Sequence, residues 1–360
     1  MMKVNELSAS ISVNKGVFYN PKMQSLRSIS VAFVKANASK GARLLDATSA
    51  TGIRGIRYAL EAGIKEPVLV DMNNGAYANS VENVKANGIK AEVSEKSFQE
   101  FANTSDERFD IVDIDPFGSP APLIYDAFKI SKDGTLLMIT ATDTAVLHGA
   151  HANACIKVYG SVPMHTELCK EAGARILLGF VAKNAAQFNF GIEPLMCVSD
   201  MHYLRLFMRV SHGASKALAA VKSLGILKQC SSCRYFEYDK GICVSDIKCA
   251  KCGSRMLIAG QMWLEGLSDM KQVDNTLKTV KKMDDPAAER QMSMIAEELD
   301  IPFFYSIPKM TKAFSIGSVS HRKVMERLQS KGYTVSETQF WKDSVKTDAG
   351  YDAVAASIKQ

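Results

Sequence analysis

Between Arg43 and Arg209, short apolar segments alternate with stretches of helical periodicity, and no other feature constrains the chain as strongly. A strand–helix–strand repeat buries both faces of its strands under crossover helices, so it folds as an open, doubly wound, mostly parallel sheet. The pattern predicts strands over Arg43–Asp46, Pro67–Asp71, Lys90–Val93, Phe109–Asp115 and Gly134–Thr140, completed by Arg175–Val181 and Tyr203–Arg209. Helices are predicted over Thr51–Ala62, Asn74–Asn87 and Pro120–Lys129, the first two closed by Gly63 and Gly88. Beyond the sheet, the pattern predicts a helix over Gly213–Leu227, a cysteine module over Lys228–Leu257 and helical sequence over Asp274–Leu299, broken near Asp285-Pro286. An amphipathic helix over Ser318–Ser330 and a short strand over Tyr333–Thr338 follow.

Composition excludes several classes. No apolar run approaches the roughly 18–20 residues that span a bilayer, and Met1–Asn20 has no apolar core of a secretory signal. A soluble, cytoplasmic chain with no membrane partner is therefore expected. Forty-four Lys and Arg against 38 Asp and Glu give a net charge of +6, which tolerates a polyanionic partner without locating its face.

In open parallel sheets, ligands sit at the carboxyl ends of the strands. Two predicted strands end in aspartate there, Asp46 and Asp71. Between them runs Ala47-Thr-Ser-Ala-Thr51-Gly52, whose small side chains let a ligand approach the backbone amides. Asp71 stands where a carboxylate accepts ribose hydroxyls. A nicotinamide dinucleotide would suit this edge, but the loop lacks the GxGxxG pattern that a pyrophosphate demands. S-adenosylmethionine carries a ribose and no phosphate, so a less glycine-rich loop suffices. An ordinary helix-capping turn is the plain alternative.

The fourth strand ends Asp113-Ile-Asp115-Pro116-Phe117-Gly118. Pro116 stiffens the exit, Gly118 frees it, and Phe117 sets an aromatic face beside Asp115. The motif resembles the Asp/Asn-Pro-Pro-aromatic motif of methyltransferases that act on exocyclic amines. A carboxylate orients such an amine and stabilises charge developing on it, while an aromatic ring stacks the base. In a structured RNA, the base first leaves its stack. Asp113 shares the strand face of Asp115 and is expected to help in positioning.

Phe18-Tyr-Asn-Pro21, Arg27, Leu45-Asp-Ala-Thr-Ser-Ala-Thr-Gly-Ile-Arg54-Gly-Ile-Arg57, Asp115-Pro-Phe-Gly-Ser-Pro120 and Thr140-Ala-Thr-Asp143 occur in this order. Tyr159-Gly-Ser-Val-Pro163, between Cys155 and Cys169, and Lys346-Thr-Asp-Ala349 follow. Together they resemble the tRNA guanine-26 N2-dimethyltransferase family in its archaeal form, over nearly the whole chain. The resemblance implies a Rossmann-like methyltransferase sheet and transfer of one or two methyl groups from S-adenosylmethionine to N2 of guanine-26 in tRNA. It makes Asp115 the catalytic carboxylate that orients and deprotonates the amine, and Phe117 and Phe18 the rings that sandwich the base. Arg27, Arg54 and Asp71 become cofactor contacts, with Asp46 on the same edge. The family's third-strand contact is an Asp-Ala pair; here the region reads Lys96-Ser97-Phe98, which puts the adenine contacts at Ser97 and Phe98.

Of eight cysteines, Cys155, Cys169 and Cys197 sit among apolar neighbours as small buried residues. Cys230-Ser-Ser-Cys233 and Cys249-Ala-Lys-Cys252 have the paired spacing of a zinc ribbon, a closed four-thiolate site for a structural zinc. Cys243 is the spare. Arg234, Tyr235, Phe236, Tyr238, Lys240 and Lys248 between the knuckles suit RNA contact or packing under the ribbon. His148, His151 and His165 show no ligand spacing. Residues 1–227 are thus expected as the methyltransferase domain, with residues 1–40 contributing to its active site. Residues 228–360 are expected as a smaller α+β domain that binds tRNA, with the ribbon at 228–257. A monomer is expected, with no obligate protein partner. Two other readings stay open at this level: an amino-methyltransferase for DNA adenine or protein glutamine, and a non-catalytic RNA-binding protein on a degenerate fold.

Overall fold

Leu44, Leu45, Val68, Val70, Ile111, Val112 and Ile114 have no exposed surface, because helices cover both faces of the strands that carry them. Each such side chain contributes about 1.5–3 kcal/mol of burial. The structure is a computed structural model that describes residues 2–241 and 247–360; Cys243 lies outside the described residues.

A hairpin of β1 (Met2–Glu6) and β2 (Ala9–Val13) precedes α1 (Gln24–Asn37). The alternation runs β3 (Leu44–Asp46), α2 (Ile53–Ala62), β4 (Val68–Val70), α3 (Asn74–Ala86), β5 (Glu92–Ser94), α4 (Phe98–Thr104), β6 (Phe109–Ile114), α5 (Ala121–Lys129) and β7 (Ser131–Ala141). Then come α6 (Thr144–Leu147), α7 (Ala152–Tyr159), α8 (Cys169–Ala186), β8 (Phe190–Ser199) and β9 (Leu204–His212). The strands form one seven-stranded sheet in the order β5-β4-β3-β6-β7-β9-β8. The first five are parallel, while β9 runs antiparallel to β7 and β8 antiparallel to β9. From β3 the chain winds outward through β4 and β5, then returns to place β6 on the other side. The crevice therefore opens at the carboxyl ends of β3 and β6, where ligands bind in sheets of this kind.

The expected α/β fold is present, with two corrections. Arg175–Val181 belongs to the helix α8 and not to a strand. Arg175, Ile176, Leu177 and Val181 are completely buried, and a helix enclosed on all sides carries the same unbroken apolar run as a buried strand. The outer strand is β8, paired with β9 from Phe190 to Ser199. The helix expected to reach Leu227 also stops early: α9 spans Ala214–Lys222, and Leu224 already starts the next strand.

That strand, β10 (Leu224–Cys230), lies between β11 (Phe236–Lys240) and β12 (Met256–Trp263) in an antiparallel sheet. It crosses residues 227 and 228, and its Leu224 and Leu227 pack into the core that backs the central sheet. Next, α10 (Met270–Val280) and α11 (Pro286–Glu297) return to α1, where the Ser28 hydroxyl donates to Asp285 Oδ2 at 2.7 Å. The remainder comprises β13 (Tyr305–Ser306), α12 (Ile307–Ala313), α13 (His321–Gln329), β14 (Val335–Ser336), β15 (Ser344–Thr347) and α14 (Tyr351–Lys359). It is built around a core of its own that includes Ile307, Val324, Leu328, Val345 and Val354. No helix among the described residues is long and apolar enough to cross a membrane.

Candidate active site

Three neighbouring strands deliver a carboxylate to the crevice. Asp46 ends β3, Asp71 follows β4, and Asp115 follows β6. Asp113 and Asp115 share a strand face, as their spacing requires, and both reach Arg54 from the first turn of α2. Arg54 Nη2 pairs with Asp115 Oδ2, its Nε stands 3.6 Å from Asp113 Oδ2, and its Nη1 donates to Ser30 Oγ at 3.1 Å. Asp113 is enclosed: the Tyr58 hydroxyl donates to its Oδ2 at 2.5 Å, and Arg205 Nη1 lies 2.8 Å from its Oδ1. Arg205 Nη1 also donates to Thr140 Oγ1 at 2.7 Å.

These contacts set the charge states. Burial raises the Asp115 carboxyl, but Arg54 and Arg205 outweigh it and hold the group at about 2, so Asp115 is an anion. Its side chain keeps 23% of its surface, whereas that of Asp113 keeps none. Burial works against the charge of Arg54, yet Asp115 and Asp113 lift its pKa higher still. Among the described residues, the Gly55 N–H makes the one hydrogen bond to the Asp46 carboxylate, reaching its Oδ2 at 3.2 Å. Burial, then the charge of Asp113, pushes Asp46 up to about 7.

Asp115-Pro-Phe-Gly leaves the sheet through a left-handed Gly118, φ +87°, whose N–H donates to Thr142 Oγ1 at 2.7 Å. This turn throws Phe117 outward to 87% exposure. Phe18, from the segment between β2 and α1, is 60% exposed. The two rings meet edge to face, with centroids 5.8 Å apart and planes at 68°. Exposing two large rings costs burial energy and leaves an aromatic surface beside an ionised carboxylate.

The structure brings Asp46, Asp115, Arg54, Phe117 and Phe18 to one rim. Asp71 lies on the same edge, accepting the Ala50 N–H on Oδ2 at 2.8 Å and the Asn73 N–H on Oδ1 at 2.9 Å. Ser97 caps α4 by accepting the Glu100 N–H at 3.1 Å, next along the edge beyond β5. Phe98 turns inward, 4% exposed, into the main core. Arg27 carries the Glu6 carboxylate, with Nε and Nη2 donating to Oε1 and Oε2 at 2.8 and 2.6 Å.

Sequence reasoning missed Arg205, Tyr58, Glu6 and Arg57. Arg205 had one signal, a charge at an inward position of an apolar strand. Tyr58 lies one helical turn past Arg54. Glu6 had none.

One observation bears on a cofactor in the crevice. Ser49 Oγ, in the loop after β3, is buried with no hydrogen-bond partner among the described residues. Such orphans are uncommon and suit a polar ligand. Gly52, φ +76°, keeps this loop low: a Cβ there would meet Leu69 Cδ2 at 3.0 Å and Ser80 Oγ at 3.2 Å.

The four ribbon cysteines gather as expected. Cys230, Cys233, Cys249 and Cys252 hold their sulfurs within 4.8 Å of one another. Sγ–Sγ distances are 3.4 Å for Cys230–Cys252 and 3.6 Å for Cys233–Cys249. A tetrahedral zinc with bonds of about 2.3 Å sets its sulfurs about 3.8 Å apart, while a disulfide needs about 2 Å. The donor set fits Zn2+. No histidine joins it; His165 Nδ1 instead lies 3.1 Å from the His148 carbonyl. Cys155, Cys169 and Cys197 are free and buried.

Comparison with known proteins agrees with this geometry. The model of the N2,N2-dimethylguanosine tRNA methyltransferase family matches residues 1–359. The chain is 37% identical to the tRNA (guanine(26)-N(2))-dimethyltransferase of Thermococcus kodakarensis, over 95% of this chain and 93% of that one. It is 33% identical to the protein of the same name from Methanothermobacter thermautotrophicus, over 97% and 96%. Trm1 from Pyrococcus horikoshii, solved in complex with S-adenosyl-L-methionine, matches with a TM-score of 0.92 at 31% identity, over 99% of each chain. The chain belongs to the N2,N2-dimethylguanosine tRNA methyltransferase family.

Proposed function

We propose that the chain methylates N2 of guanine-26 in tRNA, once or twice, using S-adenosylmethionine. The observation that carries this reading is the pairing of an ionised Asp115 with two exposed rings, Phe18 and Phe117, on the ligand edge of a methyltransferase sheet. S-adenosylmethionine, when bound, supplies an electrophilic methyl on a sulfonium. Asp46, Asp71, Ser97, Arg27 and Arg54 are the proposed residues for holding it, with Asp71 toward the ribose; the Phe98 ring, packed in the core, is not among them.

Asp115 first acts as an acceptor. A carboxylate held at about 2 is too weak a base to strip a neutral aromatic amine. It orients the amine by accepting one N–H, and it stabilises positive charge as the nitrogen's lone pair is used. Transfer would exchange the methyl's bond to sulfur for one to nitrogen, the electron pair staying on the departing thioether; the methylated nitrogen would be a strongly acidic cation, and Asp115 stands where it can take that proton. Phe18 and Phe117 hold the everted base by stacking.

The division into a catalytic part (1–227) and a tRNA-gripping part (228–360) belongs to the same reading, as does action as a cytoplasmic monomer. The ribbon cysteines would hold a structural zinc there, closing a module too small for a core of its own.

Labelled methyl transfer tests the reading. A tRNA transcript with guanine at position 26 should take up label, and the same transcript with adenine there should not. Equal labelling of both would remove the assigned substrate position.

A further inference from the structure

Phe18 is 60% exposed, and an exposed ring keeps its angle only if the backbone beneath it is fixed. On its C-terminal side that backbone is fixed by one buried carboxylate. Glu6, the last residue of β1, is 1% exposed. Its oxygens accept Arg27 Nε and Nη2 at 2.8 and 2.6 Å, Arg57 Nη1 at 2.7 Å, and the Tyr19 hydroxyl at 2.9 Å. Tyr19 follows Phe18 directly. Its ring lies under the Arg27 guanidinium, 5.2 Å from the centroid, and Arg27 Nη2 also donates to the Asn20 carbonyl at 3.2 Å. The two residues after Phe18 are therefore tied to Glu6, one directly and one through Arg27. On the other side, Val17 N–H donates to the Asn14 carbonyl at 3.1 Å, beside a left-handed Gly16.

The charges favour permanence. Burial opposes the Glu6 anion, but the bonds and charges of Arg27 and Arg57 outweigh it and lower its pKa. Burial and the Glu6 charge push the Tyr19 hydroxyl up to about 12, so it stays a donor. None of the hydrogen bonds to Glu6 comes from Asp115, Phe117 or Arg54. The chemistry does not use it.

We propose that Glu6 is a positioning residue: through Tyr19 and Arg27 it sets the angle at which Phe18 meets the target base. This rests on the reading of Phe18 as a stacking ring. Misplacing a substrate-positioning group by about 1 Å costs up to a hundredfold in rate. Loss of one of four bonds should cost less.

Tyr19→Phe is the cleanest probe, because it keeps the ring under Arg27 and deletes one O–H. Turnover on tRNA should fall about tenfold. The KM for tRNA and the affinity for S-adenosylmethionine should stay within about twofold, and the melting temperature within a few degrees. Glu6→Gln should lower turnover further. A purely structural role predicts the same fractional loss whether or not the ring is present. Positioning predicts that the Tyr19→Phe loss vanishes in a Phe18→Ala background. Wild-type turnover in Tyr19→Phe, or an equal loss in both backgrounds, overturns the proposal while leaving the stacking reading intact. Wild-type turnover in Phe18→Ala itself overturns the stacking reading.

Discussion

Phe18 precedes α1 and Phe117 follows β6, yet their rings stand 5.8 Å apart, edge to face, with most of each ring in solvent. Rings that served the core would be buried. This geometry leaves two flat faces open beside Asp115. Stacking a base is worth about 1–3 kcal/mol, so Phe117→Ala should lower kcat/KM for tRNA by roughly five- to 150-fold. Thermal stability should hardly change, because the ring is 87% exposed. Parallel measurement of transfer rate and melting temperature checks both halves. A large drop in melting temperature would mean that the ring is structural.

Arg54 joins two carboxylates of the crevice. It is 4% exposed and carries Asp115 and Asp113. Arg54→Met should cost about 3–5 kcal/mol, because it leaves buried charge uncompensated. Denaturant unfolding reads this cost directly. A loss below about 1 kcal/mol would indicate a surface-like pair.

Asp46 gives a pH signature. Its folded pKa of about 7 lies above the ordinary 3.8, so the folded protein binds a proton that the unfolded chain releases earlier. The contribution is complete below about pH 4 and declines as pH rises through 7, then stays flat. Asp115 works in the opposite sense: held at about 2 against 3.8, its contribution is present above pH 4 and is lost as pH falls toward 2. Asp46→Asn should therefore flatten the fall in urea midpoint between about pH 4 and about pH 8. An unchanged profile would mean that Asp46 is not the group.

Zinc removal should act on the C-terminal part first. The Cys233 carbonyl accepts the Tyr351 hydroxyl at 2.9 Å, and Lys251 pairs with Asp352 at 2.6 Å, so α14 leans on the ribbon. Both of the chain's tryptophans, Trp263 at the end of β12 and Trp341, lie in the C-terminal part, so their fluorescence reports on it. A chelator should produce an early fluorescence transition, and Cys233→Ser should reproduce it. Coincident, chelator-insensitive unfolding would contradict the zinc assignment.

The sheet was legible because its strands are buried on both faces and punctuated by glycines at the helix ends, as at Gly63 and Gly88. The Asp115-Pro-Phe-Gly turn was legible because each residue serves a separate local need. α8 was not, because complete enclosure erases helical periodicity and leaves Ile176, Leu177 and Leu178 looking like a strand. β8 was hidden by Gly191, Glu193 and Pro194 in its first half. Glu6 was illegible in principle: a lone glutamate in a polar N-terminal stretch acquires its role only when the fold brings Arg27, Arg57 and Tyr19 around it.

On the proposed reading, Asp115 acts on the amine and not on cofactor binding. Asp115→Asn keeps the size and one acceptor but removes the charge. The direct measurement pairs calorimetric binding of S-adenosylmethionine with single-turnover methyl transfer to tRNA. Binding within a few-fold of wild type with transfer lowered by at least about a hundredfold is the predicted result. Undiminished transfer by the variant would contradict the account.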